Sequence, residues 1–187
     1  MTLDIILVKL QTNQLNAMKF FYESILGFKV VEEAHNKFTI QTGLTAVTFS
    51  DERVIKNPFY HFAFDIPSNQ FNNAKEWIKQ KVQLSTENDN DEVYFESIKA
   101  KSLYFEDPAG NIVEFISRLE DSPKSNLPFT IDSVIKMSEM SLVVEDTVAV
   151  ANELKKMALF KRDQQPVLPN SLSFIGTREH PVYLLLV

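Results

Sequence analysis

The order strand, helix, three strands runs through this chain twice before residue 118 and starts again after residue 130. Such a repeat constrains architecture more than any single motif, because each copy buries the same kind of apolar face and packs in the same way. In the first copy, residues 3–11 alternate, with Ile6, Val8 and Leu10 on one face and Ile5, Leu7, Lys9 and Gln11 on the other. Thr12 or Asn13 then caps a helix whose Leu15, Met18, Phe21 or Tyr22, and Ile25 recur at spacings of three and four, and Gly27 closes it. Strands are predicted over 28–32, 37–41 and 46–50, with Gly43 in the last turn. The second copy has a strand over 59–66 and a helix with Phe71, Ala74 and Ile78 on its apolar stripe and Trp77 beside it. Strands over 93–95, 102–105 and 112–116 complete it. The two copies span 1–52 and 57–118. Residues 121–129, with two prolines, read as a linker. Residues 130–187 read as a third, degenerate copy: a strand within 134–144, a helix from Asp146 or Thr147 to Met157, and a hairpin of 172–175 with 182–186. Within it, SLSF followed by VYLLL lines up with SLYF followed by VEFIS in the second copy.

The hairpin of the second copy carries the most specific chemistry. Asp107-Pro108-Ala109-Gly110 has the residues of a type I turn: Asp at the first position, Pro pre-setting φ at the second, Gly at the fourth. On the return strand, alternation puts Ile112, Glu114 and Ile116 on one face and Val113 and Phe115 on the other. A carboxylate in the middle of an apolar strand is costly to bury unpaired, so Glu114 requires a metal, a cationic partner or water.

Composition removes several classes of function. A net charge of −6 argues against nucleic acid or an anionic membrane surface as partner. The absence of cysteine removes disulfides, thiolate nucleophiles and Cys-ligated zinc. No apolar run is long enough to span a bilayer, and the first residues lack the basic stretch and cleavage site of a signal peptide, so a cytoplasmic protein is expected. Residues 85–92, STENDNDE, form an acidic loop without the glycine and spacing of an EF-hand.

A strand, D-P-x-G-N and a strand centred on Glu resembles the closing hairpin of the vicinal oxygen chelate superfamily, which includes glyoxalases, bleomycin-resistance proteins and extradiol dioxygenases. The resemblance implies an α+β fold of repeated βαβββ modules, two of them forming a cup, here followed by a third, incomplete module. It also implies a metal site fed by the first and last strands of the modules, holding one divalent ion (Zn, Ni, Mn or Fe) or none, with a small-molecule ligand.

Aligned on that pattern, the second module offers His61 and Glu114 as metal ligands, with Glu114 the catalytic candidate. The first module departs from the pattern. Its two positions fall on Leu7 and Thr48, which are no ligands; with Lys9 and Ala63 they are expected to line the substrate side of the cup. Gln11 lies two pleat repeats along the same strand. The third module offers Glu139 and Tyr183, a possible ligand and a possible acid or base. Its odd count predicts a homodimer through residues 130–187. Simpler readings stand beside these: a hydrogen-bonded strand histidine for His61, a salt bridge for Glu114, a surface or interface charge for Glu139, and exposed positions for His35 and His180. The resulting functions are a metal-dependent lyase, isomerase or dioxygenase, a metal-free binding protein, or a non-catalytic interaction module.

Overall fold

A computed structural model describes residues 3–54, 56–169, 171–177 and 181–187. Its contacts divide the chain into two compact units, Ile5–Met137 and Ser138–Val187 with Met1–Asp4.

The larger unit holds two successive runs of strand, helix and three strands. The first is β1 (Leu7–Gln11), α1 (Leu15–Lys19), β2 (Lys29–Ala34), β3 (Lys37–Thr42) and β4 (Thr45–Ser50). Its strands form a sheet in the order β1-β4-β3-β2, with β1 and β4 parallel. The helix does not stop at Lys19. It widens into a π-helical turn over Phe20–Leu26 and ends at Gly27, whose φ of 89° lies in the left-handed region. Phe21, Tyr22 and Leu26 of this turn are buried. The second module is β5 (His61–Asp65), α2 (Phe71–Lys79), β6 (Val93–Phe95), β7 (Ala100–Glu106) and β8 (Ile112–Arg118). It repeats the plan, with β5 parallel to β8, β7 antiparallel to β8, and β6 outside β7.

An aromatic layer joins the two modules. Phe62 and Phe64, the β5 face opposite His61, are fully buried. Phe64 packs on Phe28 at 5.6 Å between ring centres, and Phe105 packs on Phe21 at 6.4 Å. Tyr22 stacks on Phe49 at 4.8 Å and donates from its hydroxyl to Asp107 Oδ2 at 2.9 Å. Asp107 is thereby more than a turn residue. Its Oδ1 accepts from the amides of Ala109 and Asn111, as the turn requires, and its Oδ2 accepts from Tyr22 and from Asn111 Nδ2. Burial raises the Asp107 carboxyl above its usual range against these bonds, and raises the Tyr22 phenol well above its own. Tyr22→Phe keeps the ring and removes one bond to a buried carboxylate. We expect a loss of about 1–2 kcal/mol by urea denaturation; an unchanged midpoint would show that the bond contributes nothing net.

In the smaller unit, β9 (Lys136–Leu142), α3 (Thr147–Lys156), β10 (Phe160–Lys161), β11 (Ser173–Gly176) and β12 (Tyr183–Leu186) follow the same element order, with β9 parallel to β12. Asp146 caps α3, accepting from the Ala149 amide at 2.9 Å. Two details differ from the sequence expectation. The second strand of the unit is present, although reduced to the two residues of β10. The SLSF and SLYF segments are not structural equivalents: Tyr183 pairs with Gly176, whereas Glu114 pairs with Tyr104, so the hairpin register is displaced by three residues.

Candidate metal centre

The register of β5 on β8 sets the geometry of the site. His61 lies opposite Ile112 and Ala63 opposite Glu114, so His61 and Glu114 are diagonal neighbours on one face of a parallel pair. Ala63, fully buried, leaves room for the imidazole to lean toward the carboxylate. His61 Nε2 stands 3.3 Å from Glu114 Oε2, with side chains 19% and 3% exposed. The start of β5 is pinned by the D-P-x-G-N turn itself: the Tyr60 amide donates to Asn111 Oδ1 at 2.9 Å, and the Ile112 amide donates to the Tyr60 carbonyl at 2.9 Å. The turn that identifies the hairpin therefore also holds the histidine strand in register.

Tyr104 is a site residue that the sequence reading did not single out. It lies directly across from Glu114 on β7, and its ring centre is 6.2 Å from that of His61. Beside His61 opens a cleft of about 400 Å³. Tyr104, Glu106 and Ile112 line it from the hairpin, and Glu87, Asn90, Asp91, Glu92 and Val93 from the acidic loop.

Leu7, Lys9, Thr48 and Ala63 do not line this cleft. Leu7 is 52% exposed on β1. Lys9 is exposed in a shallower depression with Gln11, Ser50 and Glu52. Thr48 is buried and shares a 2.8 Å hydrogen bond with Thr39. Ala63 lies beside Glu114 but is packed with Ala100 and Ile116. In the smaller unit Glu139 is buried on β9 opposite Tyr183. In the first two modules the aligned positions sit one pleat repeat off direct pairing, since Leu7 faces Ala46 and His61 faces Ile112; in the third they face each other. His35 is exposed, as expected, and His180 lies outside the described residues.

The residues suit a divalent ion. Two donors bound at about 2.0–2.2 Å in tetrahedral or octahedral geometry stand roughly 3.0–3.5 Å apart, and the His61–Glu114 separation of 3.3 Å falls in that interval. An imidazole nitrogen with a carboxylate oxygen is a donor set for Zn, Mn, Fe or Ni rather than for a soft thiophilic metal. Nearby on the same unit, Asp65 makes a separate buried ion pair: its Oδ1 accepts from Arg118 at 3.2 Å and from Ser122 Oγ at 2.7 Å. That carboxylate shares the strand face of His61 but is already paired.

Two modules, each with its first strand parallel to its last and a helix between them, define a repeated βαβββ class of fold. The family model described as Glyoxalase/Bleomycin resistance protein/Dioxygenase superfamily matches residues 4–115, and the chain belongs to that superfamily. A second model, Toxoflavin-degrading enzyme, matches residues 137–187. Among solved structures, a putative dioxygenase from Bacillus subtilis covers 99% of this chain at a TM-score of 0.66 and 15% identity; this chain spans 63% of its length. An integron cassette protein from the mobile metagenome of the Halifax Harbour sewage outfall covers 60% of this chain and 97% of its own, at a TM-score of 0.52 and 24% identity. A glyoxalase/bleomycin resistance protein/dioxygenase from Nocardioides covers 68% and 91%, at 0.52 and 17%. These likenesses establish the fold. No curated protein sequence matches the chain significantly. Among the described residues no helix is long and apolar enough to cross a membrane.

Proposed function

We propose that this chain is a divalent-metal-dependent enzyme acting on a small molecule that presents neighbouring oxygens, in which His61 and Glu114 hold the metal and substrate or solvent oxygens complete its shell. The observation that carries the reading is the 3.3 Å approach of His61 Nε2 to Glu114 Oε2 at the edge of an open cleft. An imidazole and a carboxylate suit Mn, Fe or Zn and leave positions open to substrate oxygens. A bound ion supplies Lewis acidity toward adjacent substrate oxygens. Glu114 then has two duties, ligand and proton carrier, and Tyr104, across the strand from it, orients what enters. The match of residues 137–187 to a family named for toxoflavin degradation supports turnover over simple sequestration.

The test is metal content by mass spectrometry after loading with Mn, Ni, Zn or Fe, with affinity measured by calorimetry. Wild type is expected to hold near-stoichiometric metal. His61→Ala and Glu114→Gln are each expected to weaken binding by more than the roughly 10–100-fold that loss of an outer-shell partner costs. Toxoflavin consumption, followed by absorbance, is the first activity to assay. If no metal binds under any loading, the His61–Glu114 pair is satisfied by itself and a metal-free binding protein is the better reading. The same proposal has the chain dimerise through residues 130–187 in a cytoplasmic setting; a monomer in light scattering at micromolar concentration would overturn the dimer.

A further inference from the structure

The cleft beside His61 is built on one side by residues 85–92, and these are shaped rather than loose. The amides of Glu87 and Asn90 donate to each other's carbonyls at 2.9 and 3.0 Å, closing a two-residue turn. Asn88 and Asp89 take φ of 50° and 64°, the left-handed pair of a type I′ hairpin, which Asn and Asp tolerate best. The hairpin is fastened to α2 and β7 by lysines. Lys75 reaches both Asp91 and Glu92, Lys79 reaches Asp91 at 3.1 Å, and Lys101 stands 3.9 Å from Glu92.

All three lysines lie outside the cleft. Its lining holds four carboxylates, Glu87, Asp91, Glu92 and Glu106, and no lysine or arginine. Glu87 and Glu106 are exposed and have no ion-pair partner among the described residues, so their charge faces whatever enters. Tyr104, Val93 and Ile112 give the same space an apolar, partly aromatic surface.

We infer that the ligand of this cleft is a neutral or cationic molecule with a planar, apolar body, and that Glu87 and Glu106 are the residues that reject anions. The inference rests on the reading of His61 as the floor of the binding site. The acidic hairpin sets the charge of the ligand; the binding site itself is the His61 cleft. At a separation of about 10 Å and an effective dielectric of about 20, one like charge weakens binding about tenfold.

Three probes isolate charge: catechol, dopamine and protocatechuate share a planar vicinal diol and carry neutral, positive and negative side groups. Each is titrated calorimetrically into the full chain, with and without Mn²⁺. Dopamine is expected to bind at least about tenfold more tightly than protocatechuate, with catechol between them. In Glu87→Gln/Glu106→Gln, which alters only exposed side chains, the spread is expected to fall below about threefold. Protocatechuate binding as well as dopamine, a spread that survives the double substitution, or no binding by any probe overturns the inference. The underlying metal reading fails separately. A charge order in a chain that takes up no Mn²⁺ removes the metal and keeps the selectivity, whereas His61-dependent Mn²⁺ uptake without a charge order does the reverse.

Discussion

Arg118→Leu is expected to destabilise the protein by about 3–5 kcal/mol at neutral pH. Arg118 is the largest fully buried side chain among the described residues, 1% exposed at the end of β8, and its Nη1 donates to Asp65 Oδ1 at 3.2 Å. Leucine fills much of the same volume, so the loss measured is not mainly a cavity. It is the cost of leaving the Asp65 carboxylate in a site where Ser122 Oγ alone still donates to it. The pH dependence identifies the cause. Burial already raises the Asp65 carboxyl above its usual range, with Arg118 the strongest of the groups that oppose the shift. A carboxyl raised in the folded state contributes stability that is fully present below its unfolded value, about 3.9, and lost as pH rises through the folded value. Removing Arg118 raises that folded value further. The difference between variant and wild type is therefore expected to be small near pH 4 and to grow toward pH 7. Asp65→Asn/Arg118→Leu is expected to recover much of the loss, because the buried Asp65 charge that lost its arginine is removed with it. Urea denaturation at a series of pH values measures all of this. A loss that does not change with pH would assign the effect to packing and remove the ion pair from the account.

The fold was legible in the sequence because its signals are local and repeated. Alternation along β5 and β8 separates His61, Ala63 and Glu114 from Phe62, Phe64 and Phe115, and the pairing of the two strands keeps that division, although both faces are largely buried. Gly27 and the D-P-x-G-N turn mark their breaks by backbone chemistry that few other residues satisfy. The site was legible in part. His61 and Glu114 are neighbours because the hairpin register and the parallel pairing both fall where the modules align. Tyr104 could have been found by the same counting: a five-residue connection between Glu106 and Ile112 puts Tyr104 opposite Glu114. What the sequence did not disclose depends on where one module lies against another. Leu7 and Thr48 share strand positions with His61 and Glu114, yet β1 and β4 belong to a sheet with β2 and β3, and the first module meets the second through Phe21 and Tyr22 of its helix and Phe28 just beyond it. A repeat fixes which face of each module is apolar and leaves open which module covers it. The slipped register of the third hairpin has a similar cause, since matching side chains in SLSF and SLYF carry no information about loop length across the turn.

Gly43→Ala and Gly110→Ala separate backbone strain from steric exclusion at two turns of the same unit. Gly43 opens the two-residue hairpin between β3 and β4, where Thr42 pairs with Thr45, and its φ is 60°. Gly110 ends the Asp107 turn with φ of 80°. Any residue with a Cβ pays in the left-handed region, about 1 kcal/mol for alanine. At Gly110 that is the whole effect, because nothing lies within 4 Å of the position a Cβ would take. At Gly43 the added carbon is driven into the backbone of Val134 and Ile135, chiefly the Ile135 carbonyl. That carbonyl is held in place, accepting from the Leu44 amide at 2.9 Å, while the Ile135 amide donates to the Asp65 carbonyl at 2.8 Å. The obstruction is backbone anchored from two sides, so it does not yield as the end of a flexible side chain would. We expect Gly43→Ala to cost on the order of 3 kcal/mol or more, against about 1 kcal/mol for Gly110→Ala. Parallel urea denaturation with equal m-values measures both. Equal losses would mean that the 134–135 segment moves aside freely, and the close approach of the β3–β4 turn to it would then carry none of the stability assigned to it.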